Sequence, residues 1–489
     1  MLGRSILSYL PVNLANVVTA FGTIAVLTRL LEPAEFGLYA IAMITMQFVH
    51  MGLFTWMEAA MARFQARAER ENDVPSHLAT LYRTALLTGV AGFVLITTVL
   101  YLFPIEPRLK FVLLFALGST CLQIIFNLGM EAHKAAHRIK RYSVAYSTTT
   151  MISFTLGILF ILFTPLQASA PFVGIICGLI IVGSVDLLFM LRAMRGGQLQ
   201  PEKVKTYFTY GAPLCIGLLL SYALNSADMY FIKAMMGSAS AGEYNAGYNL
   251  ANRSLEILFV WVSMAVTPVA VTAMEKHGTA ESSEILKNYG AALLWIAVPA
   301  AAGIALVSRD AGFILGEGVR DNAVLIMPWI AIAGLINGLM TYYVHRGFML
   351  SGQTKKFVWA LVVPVILNLG LNYILIPEYG LMGAVWATIL SYSLAIILAT
   401  ILARRDYPLP LPIRAGAEIA FCSALMAAAV YVLPLSNMTP GFVTLVIKGS
   451  VGISVYIVAC WAINAADCRT FIKDAVARFK AAPLPEPAE

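Results

Sequence analysis

Between Gly242 and Ala270 an otherwise apolar stretch carries Asn245, Asn249, Asn252, Arg253 and Glu256. Their spacing of three and four residues puts all five on one face of a helix. The chemistry such a face could do is anion binding, because a guanidinium presents a planar fork of donors that meets oxyanions two at a time. Arg253 lies eleven residues beyond Gly242, about 16 Å along a helix and so near the middle of a ~30 Å apolar layer. An arginine there costs ~2.5–3.5 kcal/mol on insertion scales. It persists only if its face meets water, a partner or an anion. The bland reading is a structural Arg253–Glu256 pair with amide hydrogen bonds between helices. The three asparagines beside that pair favour the wall of a wet cavity.

Other polar residues follow the same logic. Tyr222, Asn225 and Asp228 recur every three residues. Asp228 could pair with Lys233 or Arg253, which is the preferred expectation, or bind a coupling cation, H+ or Na+. Asn13, Asn16 and Thr23 line another face, and Gln47 and His50 sit within an apolar segment; a lone histidine there is more often structural than a proton carrier. Asn368 and Asn372 are expected to glue helices together. Lys448 is expected to snorkel to headgroups, and Glu58, His345 and Arg346 to lie at the membrane interface.

What is absent narrows the chemistry further. The chain has no phosphate-binding G-x-x-x-x-G-K-[ST] loop, no H-E-x-x-H, no C-x-x-C and no G-x-S-x-G elbow. The six cysteines are scattered with neither a disulfide nor a metal spacing. No metal site, no cofactor and no enzymatic activity is expected; the sequence looks like a conduit.

The elements that position these residues are membrane helices. Of 489 residues 60% are apolar and 12% charged, with a mean hydropathy of +0.79, whereas a soluble domain carries about 25% charged residues. Fourteen spans are expected, at 5–29, 37–60, 80–103, 110–132, 143–164, 171–192, 208–235, 242–270, 287–308, 322–349, 357–377, 380–403, 412–433 and 441–464. Twelve spans with two re-entrant segments is the alternative count. With the N-terminus inside, cytoplasmic segments hold 25 of the 33 Lys and Arg residues and outer segments six. The positive-inside rule therefore places both termini in the cytoplasm. The net charge of +7 is thus a topology signal and not a nucleic-acid patch.

The chain also repeats itself. Residues 11–43 resemble 213–250, with an early proline, a basic residue near the outer end (Arg29, Lys233) and a Gly-x-Tyr opening the next helix, Gly37/Tyr39 against Gly242/Tyr244, a shift of 205. Gly174/Gly178 and Gly383/Ala387 repeat at a shift of 209. A six-helix repeat enters the membrane the same way twice, so the halves are parallel, and such transporters place their site between them. The expected organisation is an N-lobe (1–192), a cytoplasmic linker (193–207), a C-lobe (208–405), two further helices (406–464) and a cytoplasmic tail (465–489).

"LTRLLEPAEFGLYAIAM", "YGAPLCIGLLLSYALNSADMYFIKAMMGSASAGEYNAGYNLANRSLEILFVWVSMAVTPV" and "LNLGLNYILIPEYGLMGAVWATILSYSL" resemble the bacterial polysaccharide transporters. These are the O-antigen and exopolysaccharide (Wzx-type) flippases of the multidrug/oligosaccharidyl-lipid/polysaccharide (MOP) exporter superfamily, and the likeness covers about residues 5–405. The resemblance implies an all-α polytopic protein whose two lobes form a V around a cationic cavity. It implies a flippase that carries undecaprenyl-diphosphate-linked oligosaccharide from the cytoplasmic to the periplasmic leaflet of the bacterial inner membrane by alternating access. Polymerase and chain-length proteins are the implied partners beside the lipid. By resemblance Arg253 lies in the cavity, with Arg29 and Lys233 near its outer rim. The repeat equivalent of Arg253 is Phe48, which leaves the charge mostly on one lobe and weighs against lipid II as substrate. Two other readings are a cation-coupled (MATE-like) drug exporter and a membrane polysaccharide-modifying enzyme. The first would want buried carboxylates in the first half, which offers almost none before Asp186. The second would want a large outer loop or a histidine with an acidic partner, which the sequence does not display.

Overall fold

The computed structural model describes residues 2–435 and 438–470, which are mostly helical, with no β-strand among them. The first half comprises α1 (Leu2–Leu30), α2 (Pro33–Leu53), α3 (Thr55–Arg70), α4 (Val74–Leu102), α5 (Pro107–Ala135), α6 (Ile139–Phe163), α7 (Ala170–Gly178) and α8 (Ser184–Ala193). The second comprises α9 (Pro201–Ser226), α10 (Asp228–Met236), α11 (Ser238–His277), α12 (Thr279–Ala311), α13 (Glu317–Leu339), α14 (His345–Leu350), α15 (Thr354–Tyr379) and α16 (Leu381–Asp406). Two more, α17 (Ile413–Val432) and α18 (Phe442–Ile463), complete the described chain. Most of the expected cytoplasmic tail lies outside the described residues.

Thirteen helical segments among the described residues are long and apolar enough to cross a membrane. They match thirteen of the fourteen expected spans in order, and α11 occupies the position of the remaining one. Local sequence explains the punctuation. Proline opens α2, α5 and α9, where its missing N–H is no loss. Gly237, at φ +94°, ends α10 in a conformation that a Cβ would oppose. Two single-turn π segments, Leu179–Gly183 and Met340–Val344, interrupt otherwise α-helical spans; such turns are rare and are frequent at functional sites.

The described chain packs into two compact units. One takes the residues up to Ala246 with Ile314–Ala323 and Leu361–Thr388; the other takes Gly247–Phe313, Val324–Ala360 and the residues from Ile389 onward. In the first unit Phe54, Met57, Met61 and Leu81 are buried together between α3, α4 and α9. In the second, Cys422, Met426, Tyr456 and Cys460 fill the space between α17 and α18. All six cysteines are free thiols.

The segment before α9 is fastened to α4. Gln200 N donates to Thr80 Oγ1 at 3.1 Å, Thr80 Oγ1 donates to the Gln198 carbonyl at 3.3 Å, and a Cβ on Gly197 would lie 2.1 Å from the Pro75 carbonyl oxygen. His77 Nδ1 meets Tyr207 Oη at 2.6 Å, and Lys203 pairs with Asp73, whose carboxyl that hydrogen bond holds below the usual range.

Candidate functional site

The polar face of α11 forms as its spacing requires. Arg253 Nη1 donates to Glu256 Oε2 at 2.8 Å, yet half of the arginine side chain (51%) stays exposed. Asn245, Asn249, Asn252 and Glu256 are partly buried along the same helix. A Cβ on Gly334 of α13 would come within 3.0 Å of Asn252 Oδ1, so that glycine lets the asparagine approach its neighbour. The Arg253–Glu256 pair named as the bland reading is therefore present. It leaves the guanidinium with donors to spare, because one carboxylate oxygen occupies one of five N–H groups.

Asp228 departs from expectation. It bonds neither Lys233 nor Arg253. Its carboxylate is 1% exposed and receives Tyr244 Oη at 2.9 Å, Asn372 Nδ2 at 2.7 Å and Thr388 Oγ1 at 2.5 Å. Lys233 turns instead to Glu106, 3.2 Å away. The physical reason is depth: Asp228 opens α10, beside Asn225 at the end of α9, and faces α11, α15 and α16, whereas the lysine is a full turn and more nearer the helix end. Asn368 and Asn372, expected as glue, belong to this cage; Asn372 Nδ2 also donates to Asn368 Oδ1 at 3.0 Å. Asn372 Oδ1 and Asn368 Nδ2 are buried with no hydrogen-bond partner among the described residues. Sequence reasoning missed Tyr244 and Thr388 as members of the cage. The only available signal was that Asn368 and Asn372 are four apart on an otherwise apolar helix.

His50 is not a lone histidine. Its Nε2 lies 3.1 Å from Glu58 Oε1, which also accepts from Asn127 Nδ2 at 2.9 Å. The break at Phe54, between α2 and α3, separates the two residues of this pair along the chain. A second pair follows the π segment before α8: His133 Nε2 meets Asp186 Oδ1 at 2.8 Å, and Arg141 Nε donates to the same oxygen at 3.2 Å. Histidines with acidic partners are thus present, contrary to the sequence expectation.

Lys448 does not snorkel. Its Nζ lies 2.6 Å from Asp310 Oδ2, and Asp310 is buried. Arg29 is exposed in the last turn of α1. The Thr28 carbonyl beside it would lie 1.8 Å from a Cβ on Gly316, and Gly316 N donates to Thr28 Oγ1 at 2.9 Å. Within the same unit Thr45 and Tyr230 hydroxyls meet at 2.8 Å, and the Phe48 ring packs edge-on to Tyr222 at 4.9 Å. The repeat equivalent of Arg253 therefore seals against an aromatic ring.

These helices, with a polar ridge in an apolar bundle, have the fold of the MOP superfamily of transporters and flippases. The lipid II flippase MurJ in an inward closed conformation superposes with a TM-score of 0.75 over 96% of this chain and 100% of that one, at 14% identity. An inward-facing multidrug resistance MATE family transporter of the MOP superfamily gives 0.63 over 79% and 94%, at 14% identity. A MOP superfamily transporter from Pyrococcus furiosus, described as having a binding pocket of reverse polarity, gives 0.56 over 82% and 93%, at 15% identity. No curated protein sequence matches the chain. The family described as polysaccharide biosynthesis protein matches residues 2–274, more than half of the chain, and the protein belongs to that family.

Proposed function

We propose that the protein is a flippase for lipid-linked oligosaccharide repeat units, of the undecaprenyl-diphosphate type, moving them from the cytoplasmic to the periplasmic leaflet of the bacterial inner membrane. Residues 1–192 and 208–405 act as the two lobes, joined by 193–207, with 406–464 appended, and both termini face the cytoplasm. The observation that carries the reading is Arg253, a half-exposed guanidinium inside an apolar helix of a polysaccharide biosynthesis family member. A diphosphate cannot cross hydrocarbon bare, because an unpaired charge there is far too costly. Arginine meets its oxygens through charge-assisted, bidentate bonds. The polyprenyl tail stays in lipid throughout, and Asn249, Asn252 and Glu256 line the polar path with Arg253, with Arg29 and Lys233 toward the periplasmic rim.

Asp228 is the element we assign to coupling. A fully buried carboxylate surrounded by neutral donors lacks a countercharge, and burial of an unpaired charge is costly. A monovalent cation, H+ or Na+, supplies it. The Thr388 hydroxyl has one proton, yet it lies 2.5 Å from Asp228 and 2.9 Å from the Ala384 carbonyl; adding a cation at the carboxylate frees that proton for the carbonyl. Reconstituted vesicles loaded with a fluorescent polyprenyl-diphosphate oligosaccharide test the flippase reading. Transbilayer movement that depends on the protein supports it; movement of a drug cation and none of the glycolipid would establish an exporter instead.

A further inference from the structure

The turn between α5 and α6 and the end of α8 gather positive charge that the fold itself does not use. Arg138 closes that turn, Lys140 lies in the first turn of α6, and Arg192 and Arg195 lie at the end of α8; all four are exposed. Basic residues at several other helix ends spend their charge on carboxylates, Arg67 on Glu71, Lys203 on Asp73, Lys356 on Asp406 and Arg414 on Glu418. Among the described residues Arg138, Lys140, Arg192 and Arg195 have no carboxylate within ion-pair distance.

The cluster is fixed in place by one ring. Phe189 of α8 has Arg141 over it at 3.6 Å and Arg138 at 5.4 Å, and the face of an aromatic ring attracts a cation. Arg141 is held from behind, its Nε donating at 3.2 Å to Asp186 Oδ1, and that buried carboxylate also meets His133. Arg141 is thereby paired within the fold, whereas Arg138, on the same ring, keeps its donors for the outside. Arg192 stands three residues beyond Phe189, one turn further along α8.

What lies beneath the charges names the partner. Val185, Leu188 and Arg192 follow a spacing of three and four and so share one face of α8; Val185 and Leu188 are 64% and 59% exposed. On α6, Val144 stands four residues after Lys140 and is 68% exposed. Both helices belong to segments long and apolar enough to cross a membrane, and each sets an exposed cation at the end of an exposed apolar stripe. A free phosphate or an acidic peptide has no use for the stripe. A two-chain phospholipid with an anionic headgroup matches both parts, its phosphate against the basic residues and its acyl chains along Val144, Val185 and Leu188.

We propose that the adjoining ends of α5, α6 and α8 form a binding surface for an anionic phospholipid of the surrounding membrane. Arg138 and Arg192 are its phosphate ligands, and Phe189 positions Arg138. This lipid is a resident of the bilayer and not the cargo, so the inference stands apart from the flippase reading.

The test uses the full-length protein in detergent, titrated with phosphatidylglycerol or phosphatidylcholine and read by native mass spectrometry. Wild type retains phosphatidylglycerol about tenfold more tightly than phosphatidylcholine. Arg138→Gln combined with Arg192→Gln weakens phosphatidylglycerol about tenfold and leaves phosphatidylcholine unchanged. Phe189→Leu, which keeps every charge, weakens it less. Arg404→Gln combined with Arg405→Gln, at exposed arginines ending α16, controls for bulk charge and binds as wild type does. Wild-type retention of phosphatidylglycerol by the Arg138/Arg192 variant overturns the site. An equal loss in the Arg404/Arg405 control also overturns it, since the effect is then one of net charge. Displacement of phosphatidylglycerol by an equimolar amount of farnesyl diphosphate assigns the surface to the cargo and overturns the resident lipid.

Discussion

Gly37 and Gly242, which hold the same place in the two halves of the repeat, lie against one another. A methyl group built on Gly37 would sit 1.8 Å from the Ser238 carbonyl oxygen, and one on Gly242 would sit 2.4 Å from that of Pro33. The start of α2 and the start of α11 therefore cross at backbone distance, as small residues allow inside membranes. Both glycines belong to the same compact unit. Gly37→Val forces the turns apart at a cost of about 1–3 kcal/mol. The expected outcome is a lower unfolding midpoint in detergent together with weaker glycan export. A wild-type midpoint and full export would show that the close crossing is dispensable.

Arg253→Ala is expected to abolish surface polysaccharide in a deletion strain while the protein still reaches the membrane, and lipid-linked intermediates should accumulate. Arg253→Lys retains part of the export, since charge remains and the bidentate fork is lost. Immunoblots of membrane fractions separate a transport defect from failed insertion. Unimpaired glycan export by Arg253→Ala removes the residue from the path.

At Asp228, Asn is close in shape but holds no countercharge for a cation. Asp228→Asn should therefore fold and insert, and lose the dependence of vesicle transport on an imposed pH or Na+ gradient. Measuring rates with each gradient in turn identifies the coupling ion in the wild type. If Asp228→Asn keeps the full gradient response, the cage around Asp228 is purely structural.

Lys448 and Asp310 make a partly buried pair. Removing one partner strands the other, which costs about 3–5 kcal/mol for buried pairs, whereas replacing both with apolar residues is often neutral. Lys448→Met should thus lower the unfolding midpoint, and Lys448→Met with Asp310→Leu should recover most of the loss. A double variant no better than the single one would show that the pair is not coupled.

The helices were legible because a membrane makes length and hydropathy nearly sufficient: thirteen of the expected spans are matched by segments long and apolar enough to cross. The polar ridge of α11 was legible for a similar reason, since periodicity of three and four needs no knowledge of neighbours. Asp228 was misjudged because its partners come from Tyr244, Asn372 and Thr388, two of them more than a hundred residues away. Nearby Lys233 offered a simpler pairing in one dimension. Arg346 donates to Ser263 of α11 after a π turn, and such a turn leaves no mark on composition. His50 with Glu58 needed the break at Phe54 to meet, and a helix break without proline is equally silent in sequence.

The short segment ahead of α9 has a mechanical corollary. Held to α4 through Thr80, Gly197 and Asp73, it is a fixed approach to α9 and not a slack loop. Within α9 itself Gly211 is pressed against Trp56, and Pro213, two residues later, removes one rung of the helical ladder. From Gly197 to Gly211 the chain thus lies against α4 and α3 without slack, so a bulkier side chain at either glycine would have to lift the whole approach to this span.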